Sequence, residues 1–229
     1  MKVGTDGVLL GAWSAGDDKK VKRILDVGTG TGLIALMLAQ RNSSAQIDAI
    51  EIDSQAAKQA KQNVINSPWA NRVQVFQQDF SVFAQNPKHQ KAYDVVVCNP
   101  PFFQNAYKTP KRSRNLARHN DTLSFVDLIQ YTDLVLCSNG LFELILPSQE
   151  AQQFLVMANA HDFHCSHIMT TKAHLNKPPK RYLMRLCKRT SNSEQNQKCK
   201  ENELLMGDGR GIPYTTAYKT LTQAFYLHF

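Results

Sequence analysis

Asn99, Pro100, Pro101 and Phe102 follow directly on the strand-like run Tyr93-Asp94-Val95-Val96-Val97-Cys98. Prolines cannot continue a strand ladder, so the chain must break at Asn99. The break leaves an amide side chain, a carbonyl and an aromatic ring at a strand's C-terminal edge. In an open α/β sheet that edge is where ligands bind. The exocyclic amine of a nucleobase is a poor nucleophile because its lone pair is delocalised into the ring. Two acceptors on its N–H groups, the Asn99 side-chain oxygen and the Pro100 carbonyl, would pull the nitrogen toward tetrahedral geometry and free that lone pair. Phe102 could stack on a base once it has left its helix. The plain structural alternative is a strand followed by a Pro-Pro turn with one core Phe.

A second motif lies upstream. Ile24-Leu25-Asp26-Val27 reads as a short buried strand, followed by Gly28-Thr29-Gly30-Thr31-Gly32 and the helical pattern Leu33, Ile34, Leu36, Met37, Leu38. Glycines at a strand-to-helix turn let a ligand approach the backbone and meet helix N-terminal N–H groups. The spacing is G-x-G-x-G, not the G-x-G-x-x-G of dinucleotide dehydrogenases, which counts against NAD. The next two strands end in acids at matching places. Glu51 closes Ile47-Asp48-Ala49-Ile50-Glu51, about twenty residues after the glycines, where a carboxylate would accept ribose hydroxyls. Asp79 follows Val73-Gln74-Val75-Phe76-Gln77-Gln78 and could accept from an adenine amino group, with Phe80 or Ile52 against the ring. Each acid alone also reads as a strand end or a helix cap; it is their order after Asp26 that points to a nucleoside.

The run Asp26-Val-Gly-Thr-Gly-Thr-Gly32, with Glu51, Asp79 and Asn99-Pro-Pro-Phe102, resembles the class I S-adenosylmethionine-dependent methyltransferases of the amino-methylating type. Met1-Lys-Val-Gly-Thr-Asp-Gly-Val-Leu-Leu-Gly-Ala-Trp13 and Ala117-Arg-His-Asn-Asp-Thr-Leu-Ser-Phe125 resemble, more narrowly, the bacterial tRNA-valine adenine-N6 methyltransferases. Tyr214-Thr-Thr-Ala-Tyr218 and Phe225-Tyr-Leu-His-Phe229 fit the same family. The resemblance implies that Asp26, Gly28, Gly30 and Gly32 line the methionine and ribose part of S-adenosyl-L-methionine. It gives Glu51 the ribose and Asp79 the adenine, and sets Asn99 at both cofactor and amine. Thr5 and Asp6 match the motif that closes over the methionine end, although Thr5 could instead cap a helix beginning at Asp6. Family members carry a further segment ahead of this motif, and here the sequence begins on it. No metal is implied.

These motifs need a scaffold of alternating elements. The pattern predicts helices over 6–15, 33–41, 54–66, 123–137 and 149–160, and strands over 24–27, 47–51, 73–77, 93–98, 141–146, 163–169 and 181–188. Alternation implies an α/β fold with a mainly parallel sheet and helices on both faces. Thr170 to Lys180 is too short for a crossover helix, so the last two strands pair as an antiparallel hairpin. The resemblance adds the seven-stranded, Rossmann-like methyltransferase order. Residues 191–202 read as a polar loop, and Tyr214, Tyr218, Leu221 and Phe225 fall on one helical face that packs on the core.

With 229 residues, 42% of them hydrophobic, the chain can bury one sizeable core and is read as a single domain over 1–229. It contains no apolar run of the about 18 residues needed to span a membrane and no signal-peptide pattern, so the expected location is the cytoplasm. Five dispersed cysteines without a C-x-x-C pair predict reduced thiols and no zinc site. His161, His164 and His167 fall where a helix end passes into a strand, an unpromising metal cluster.

The formal charge of +8 is uneven. Lys108, Lys111, Arg112, Arg114 and Arg118 follow the tetrad with no acid between Asp94 and Asp121, as a phosphate-tracking lip would. Phe103 and Tyr107 could add stacking surface. Lys177-Pro-Pro-Lys180-Arg181 is a second basic run that also reads as a stiff turn. The expected activity is methylation of the N6 amine of adenine in tRNA, beside the anticodon of a valine tRNA by resemblance, with no obligate protein partner. The rivals are guanine-N2 methylation of ribosomal RNA, protein-glutamine methylation on the same fold, and a non-catalytic RNA-binding module.

Overall fold

The computed structural model describes residues 4–14, 21–100, 123–188, 198–209, 211 and 213–227. One eight-stranded sheet organises them, in the order β3-β2-β1-β4-β5-β7-β6-β8. β1 (Arg23–Val27), β2 (Gln46–Glu51), β3 (Val73–Gln77), β4 (Tyr93–Cys98) and β5 (Leu136–Pro147) run parallel. The hairpin of β6 (Phe163–Lys172) and β7 (Arg181–Lys188) adds the expected antiparallel ending, and β7 pairs antiparallel with β5.

Consecutive residues of the central strands point to opposite faces, and both faces are covered. Leu25, Val27, Val96, Phe142 and Leu144 pack under α4 (Phe80–Gln85), α5 (Phe125–Val135) and α6 (Ser148–Ala160). Ile24, Ile47, Val95, Val97 and Leu183 pack under α1 (Thr5–Trp13), α2 (Leu33–Arg41), α3 (Ser54–Ile65) and α7 (Thr216–Thr222). Of the C-terminal residues expected on one helical face, Tyr218 of α7 is fully buried in that second layer with Leu221 beside it, whereas Tyr214 precedes the helix and is exposed, stacked on the Tyr218 ring at 5.0 Å, and Phe225 follows the helix in a short 3-10 turn.

The sequence pattern differs from the structure at three elements. The segment expected to be a polar loop through Asn202 contributes an eighth strand, β8 (Lys200–Leu205), parallel to β6. Only Leu204 of β8 is buried, so an edge strand dressed in Lys, Glu and Asn carries no alternation to reveal it. α4 is only six residues long and starts at the cap Asp79, too short for a helical period. α5 stops at Val135 and β5 begins at once at Leu136, earlier than 141, with the register shifting between Tyr93 and Val95 on β4. No helix among the described residues is long and apolar enough to cross a membrane.

The edge of the sheet where the parallel strands begin is tied by a polar cluster. Arg23 reaches Asp48 at 2.8 Å and lies over the Tyr93 ring at 4.7 Å. The Tyr93 hydroxyl donates to Asp48 at 2.5 Å and lies 3.0 Å from His89 Nδ1, whose ring stacks on Phe83. Burial, then the bond and charge of Asp48, push the Tyr93 phenol far above its ordinary value, so it stays a neutral donor. Tyr93→Phe leaves a largely buried carboxylate short of one donor and should cost about 1–3 kcal/mol. Urea denaturation measures that loss, and cofactor affinity should stay unchanged because the cluster lies at the far edge.

Candidate active site

Parallel pairing sets the strand ends level. Val27 pairs with Ile50 on one side and Cys98 on the other, and Glu51 pairs with Gln77. Gly28, Glu51, Asp79 and Asn99 therefore emerge along one sheet edge, each from a different strand. Gly28 and Thr29 both donate to the Ile50 carbonyl at 3.0 Å, which seats the glycine turn against β2. Gly28, Gly30 and Gly32 have φ of 69°, 59° and 84°, in the left-handed region that disfavours other residues. A side chain at Gly28 would meet no atom within 4 Å, so this turn opens onto free space where a ligand backbone or sugar could sit.

Asp26 is the buried fastener of this turn. Its Oδ2 accepts from Thr29 Oγ1 at 2.6 Å and from the Ala35 amide at 3.1 Å, pinning strand, turn and α2 together. Its Oδ1 is buried with no hydrogen-bond partner. Burial pushes the carboxyl up to about 7, against the two hydrogen bonds, and the Glu51 charge adds to the rise. Asn63 of α3 donates to the Thr31 carbonyl at 2.9 Å and holds the outer side of the turn. Neither Thr29 nor Asn63 stood out in the sequence; a hydroxyl three residues after a buried acid was a signal for the first, and nothing local pointed to the second.

Glu51 is half-buried. Oε2 accepts from the Gly30 amide at 2.8 Å and Oε1 from the Asp53 amide at 2.9 Å. A carboxylate has about four lone-pair sites, so each oxygen keeps capacity for a ribose hydroxyl. Asp79 is exposed and caps α4, accepting from the Ser81 amide at 2.7 Å and from the Ser81 hydroxyl. Of the two apolar candidates beside an adenine, Phe80 is excluded: it is 5% exposed and packs edge-on against Tyr131. Ile52 is 52% exposed, directly after Glu51. An orphaned buried oxygen, an open glycine turn and a carboxylate with spare acceptor capacity fit a cationic nucleoside cofactor.

Asn99 is half-buried and Pro100 buried at the end of β4. Cys98 just below is a buried thiol pushed well above its ordinary value by burial and by the charges of Asp26 and Glu51, hence neutral. Pro101, Phe102, Phe103, Tyr107, Lys108, Lys111, Arg112, Arg114 and Arg118 lie outside the described residues. Among those described, no group of three His, Cys, Asp or Glu could hold a metal ion.

α1 lies across the sheet next to this edge, fixed at two points on β7. Asp6 near its start pairs with Arg181 at 2.7 Å, and Trp13 at its end lies 5.1 Å below the Arg185 guanidinium, which pairs with the fully buried Glu143 at 2.6 Å. The four-residue step between the arginines, about 13 Å along a strand, suits the seven-residue step on the helix, about 10 Å. Asp6 thus has one oxygen committed to an arginine 175 positions away, which the sequence did not foreshadow. Thr5 is the exposed first residue of α1 and does not cap it; Gly4 occupies the cap position without a side-chain bond.

The profile of the family described as "Methyltransferase small domain" matches residues 8–122. A protein of Flavobacterium psychrophilum named tRNA1(Val) (adenine(37)-N6)-methyltransferase is 42% identical over 99% of this chain and 93% of its own length. One of the same name from Bacteroides fragilis is 43% identical over 99% and 91%. Among solved structures, one from Agrobacterium tumefaciens described as a predicted O-methyltransferase aligns over 96% of both chains with a TM-score of 0.74 and 18% identity. A SAM dependent methyltransferase from Aquifex aeolicus aligns over 80% of this chain and 93% of its own at a TM-score of 0.56 and 12% identity. Both show the same fold.

Asp26, poised at about 7 in the free protein, should ionise when the sulfonium and ammonium charges of S-adenosylmethionine arrive. Its carboxyl is neutral below that pH and offers a cation nothing, so affinity should rise with pH through about 7 and binding should release a proton there. Calorimetry in two buffers of different ionisation enthalpy reads the proton directly. A flat affinity between about pH 5.5 and 8, with no buffer dependence, would contradict this role for Asp26.

Proposed function

Because this chain belongs to the methyltransferase small domain family, within the group of the tRNA1(Val) (adenine(37)-N6)-methyltransferases, we propose that it methylates the N6 amine of an adenosine in tRNA, the one beside the anticodon of a valine tRNA. The observation that carries this reading is the level array of Gly28, Glu51 and Asn99-Pro100 on one sheet edge. It sits in a chain that matches those relatives over 99% of its length. The predicted location is the cytoplasm, and the whole chain is read as one domain.

S-adenosylmethionine supplies an electrophilic methyl group on a sulfonium. Asp26 and the glycine turn would hold its methionine end, Glu51 its ribose hydroxyls, and Asp79 with Ile52 its adenine. The Asn99 side-chain oxygen and the Pro100 carbonyl would accept the two hydrogens of the substrate amine. With both hydrogens held, the nitrogen would be drawn toward tetrahedral geometry and its lone pair localised toward the methyl group, in line with the carbon–sulfur bond; the sulfur would leave as a neutral thioether and the methylated aminium would release its proton to solvent. No tuned general base is needed, because the amine becomes acidic only as the new bond forms. Phe102 would stack on the extruded base, and Lys108, Lys111, Arg112, Arg114 and Arg118 would follow its phosphates. Catalysis then rests on positioning two bound reactants and on oriented acceptors.

Asn99→Ala should keep most of its cofactor binding, which Asp26, the glycine turn, Glu51 and Asp79 would still supply, and lose roughly 100- to 1000-fold in turnover, as when one oriented group is removed from a preorganised site. Glu51→Ala should instead weaken cofactor binding by about 1.5–3 kcal/mol. The test is mass spectrometry of nucleosides from tRNA treated at saturating cofactor. N6-methyladenosine from the wild type and almost none from Asn99→Ala is the expected result. Methylguanosine would move the protein to a guanine-N2 activity, and an undiminished Asn99→Ala enzyme would remove Asn99 from the mechanism.

A further inference from the structure

The β6–β7 hairpin overhangs the proposed site. β5 pairs with the last residue of β4 at Leu144 and continues three residues further to Pro147, which pairs with Arg181 at the start of β7. At 3.3 Å per residue the hairpin base stands about 10 Å beyond the level of Cys98, and β7 is two strands, about 10 Å, to the side. Its turn, residues 173–180, therefore rises on the same edge as Asn99 and faces whatever extends from a base held there.

This turn is built to keep its shape. Lys180 N donates to the Thr171 carbonyl at 2.8 Å and Lys177 N to the His174 carbonyl at 3.0 Å. Ser148 Oγ donates to the Pro179 carbonyl at 2.5 Å, and the Gly207 amide to the Ala173 carbonyl at 2.9 Å. Pro178 and Pro179 fix two further φ angles. None of these bonds uses a lysine side chain.

The basic residues here divide by role. Lys172 pairs with Glu203 at 2.6 Å and Arg181 with Asp6 at 2.7 Å, so both inner cations hold the fold together. Lys177 and Lys180 at the tip are exposed, and neither has an ion-pair partner among the described residues. No acid occurs between Thr170 and Arg181. Two ammonium groups without an ion-pair partner among the described residues, on a turn whose backbone is already shaped, stand above an edge that would hold a nucleobase; only their side chains remain to be ordered when an anion binds.

We propose that the β6–β7 turn is a second phosphate-binding ledge for the RNA substrate, with Lys177 and Lys180 contacting the backbone of nucleotides that flank the modified base. This rests on the tRNA methyltransferase reading above. The lysines contact phosphates, not base edges, so the ledge sets register and affinity and carries no sequence information. Arg181 belongs to the scaffold that carries the ledge.

The test compares wild type with Lys177→Gln/Lys180→Gln and Lys177→Arg/Lys180→Arg, using a valine tRNA transcript across a range of salt concentrations. Losing two phosphate contacts should flatten the plot of log affinity against log salt by about 1.4–1.8, and should weaken binding about tenfold or more near 0.1 M salt. The arginine variant should keep wild-type slope and affinity, while cofactor affinity by calorimetry stays equal in all three. The methylation rate of the glutamine variant should fall at limiting tRNA and recover as tRNA approaches saturation. A glutamine variant with wild-type slope and affinity would overturn the ledge and leave the methyltransferase reading intact. A wild type that neither binds nor methylates tRNA would overturn both.

Discussion

The parallel pairing of β1 with β2 on one side and β4 on the other is the constraint on which the rest of the structure depends. Parallel strands share a direction, so their C-terminal ends arrive together, and each delivers the residue that follows it to the same edge. Val27, Ile50 and Cys98 lie level in this ladder. The glycine turn, Glu51 and Asn99 are therefore neighbours in space although they span some seventy positions of sequence. A one-residue slip in either pairing would exchange the side chains that face the two helical layers, and both layers are closely packed. Core packing thus sets the relative positions of the functional residues.

Within that array the charges are sorted by distance from the sheet. Acids lie lowest: Asp26 wholly buried, Glu51 half-buried and Asp79 at the surface, matching a cationic nucleoside laid along the strand ends. Cys98 beneath them stays neutral, since burial and two neighbouring carboxyls oppose a thiolate. Cations stand above, on the turn between β6 and β7. A positive cofactor and a polyanionic RNA make opposite demands, and a step of about 10 Å in the strand ends is how one edge can meet both.

The C-terminal half of the chain supplies the support for this arrangement. α1 is pinned by Arg181 and by Arg185 over Trp13, and β8 buttresses the hairpin through Leu204 and the Lys172–Glu203 pair. The buried Glu143–Arg185 pair is costly to desolvate and would be destabilising if halved. Joined to the Trp13 ring, it specifies where α1 crosses the sheet.

By itself the sequence determined what local chemistry determines. Apolar runs of strand length ending in Gly, Glu, Asp or Asn-Pro-Pro, separated by helical periods, were enough for the strand order along the chain, the glycine turn, the acid series and the antiparallel ending, because each depends on residues a few positions apart. Tertiary structure decided the matters that turn on a partner far away in the chain. Asp6 and Arg181 meet only because β7 enters the sheet beside β5. Phe80 faces the core because α4 turns inward from its Asp79 cap, and Ile52, between β2 and α3, is left at the surface. β8 had no hydrophobic alternation to betray it, since an edge strand needs only one buried side chain. The basic run 177–181, uniform as a string, separates into scaffold and free charge because Asp6 pairs with Arg181, whereas among the described residues no carboxylate pairs with Lys177 or Lys180. Sequence spacing shows which groups are available; strand register shows which of them are already taken.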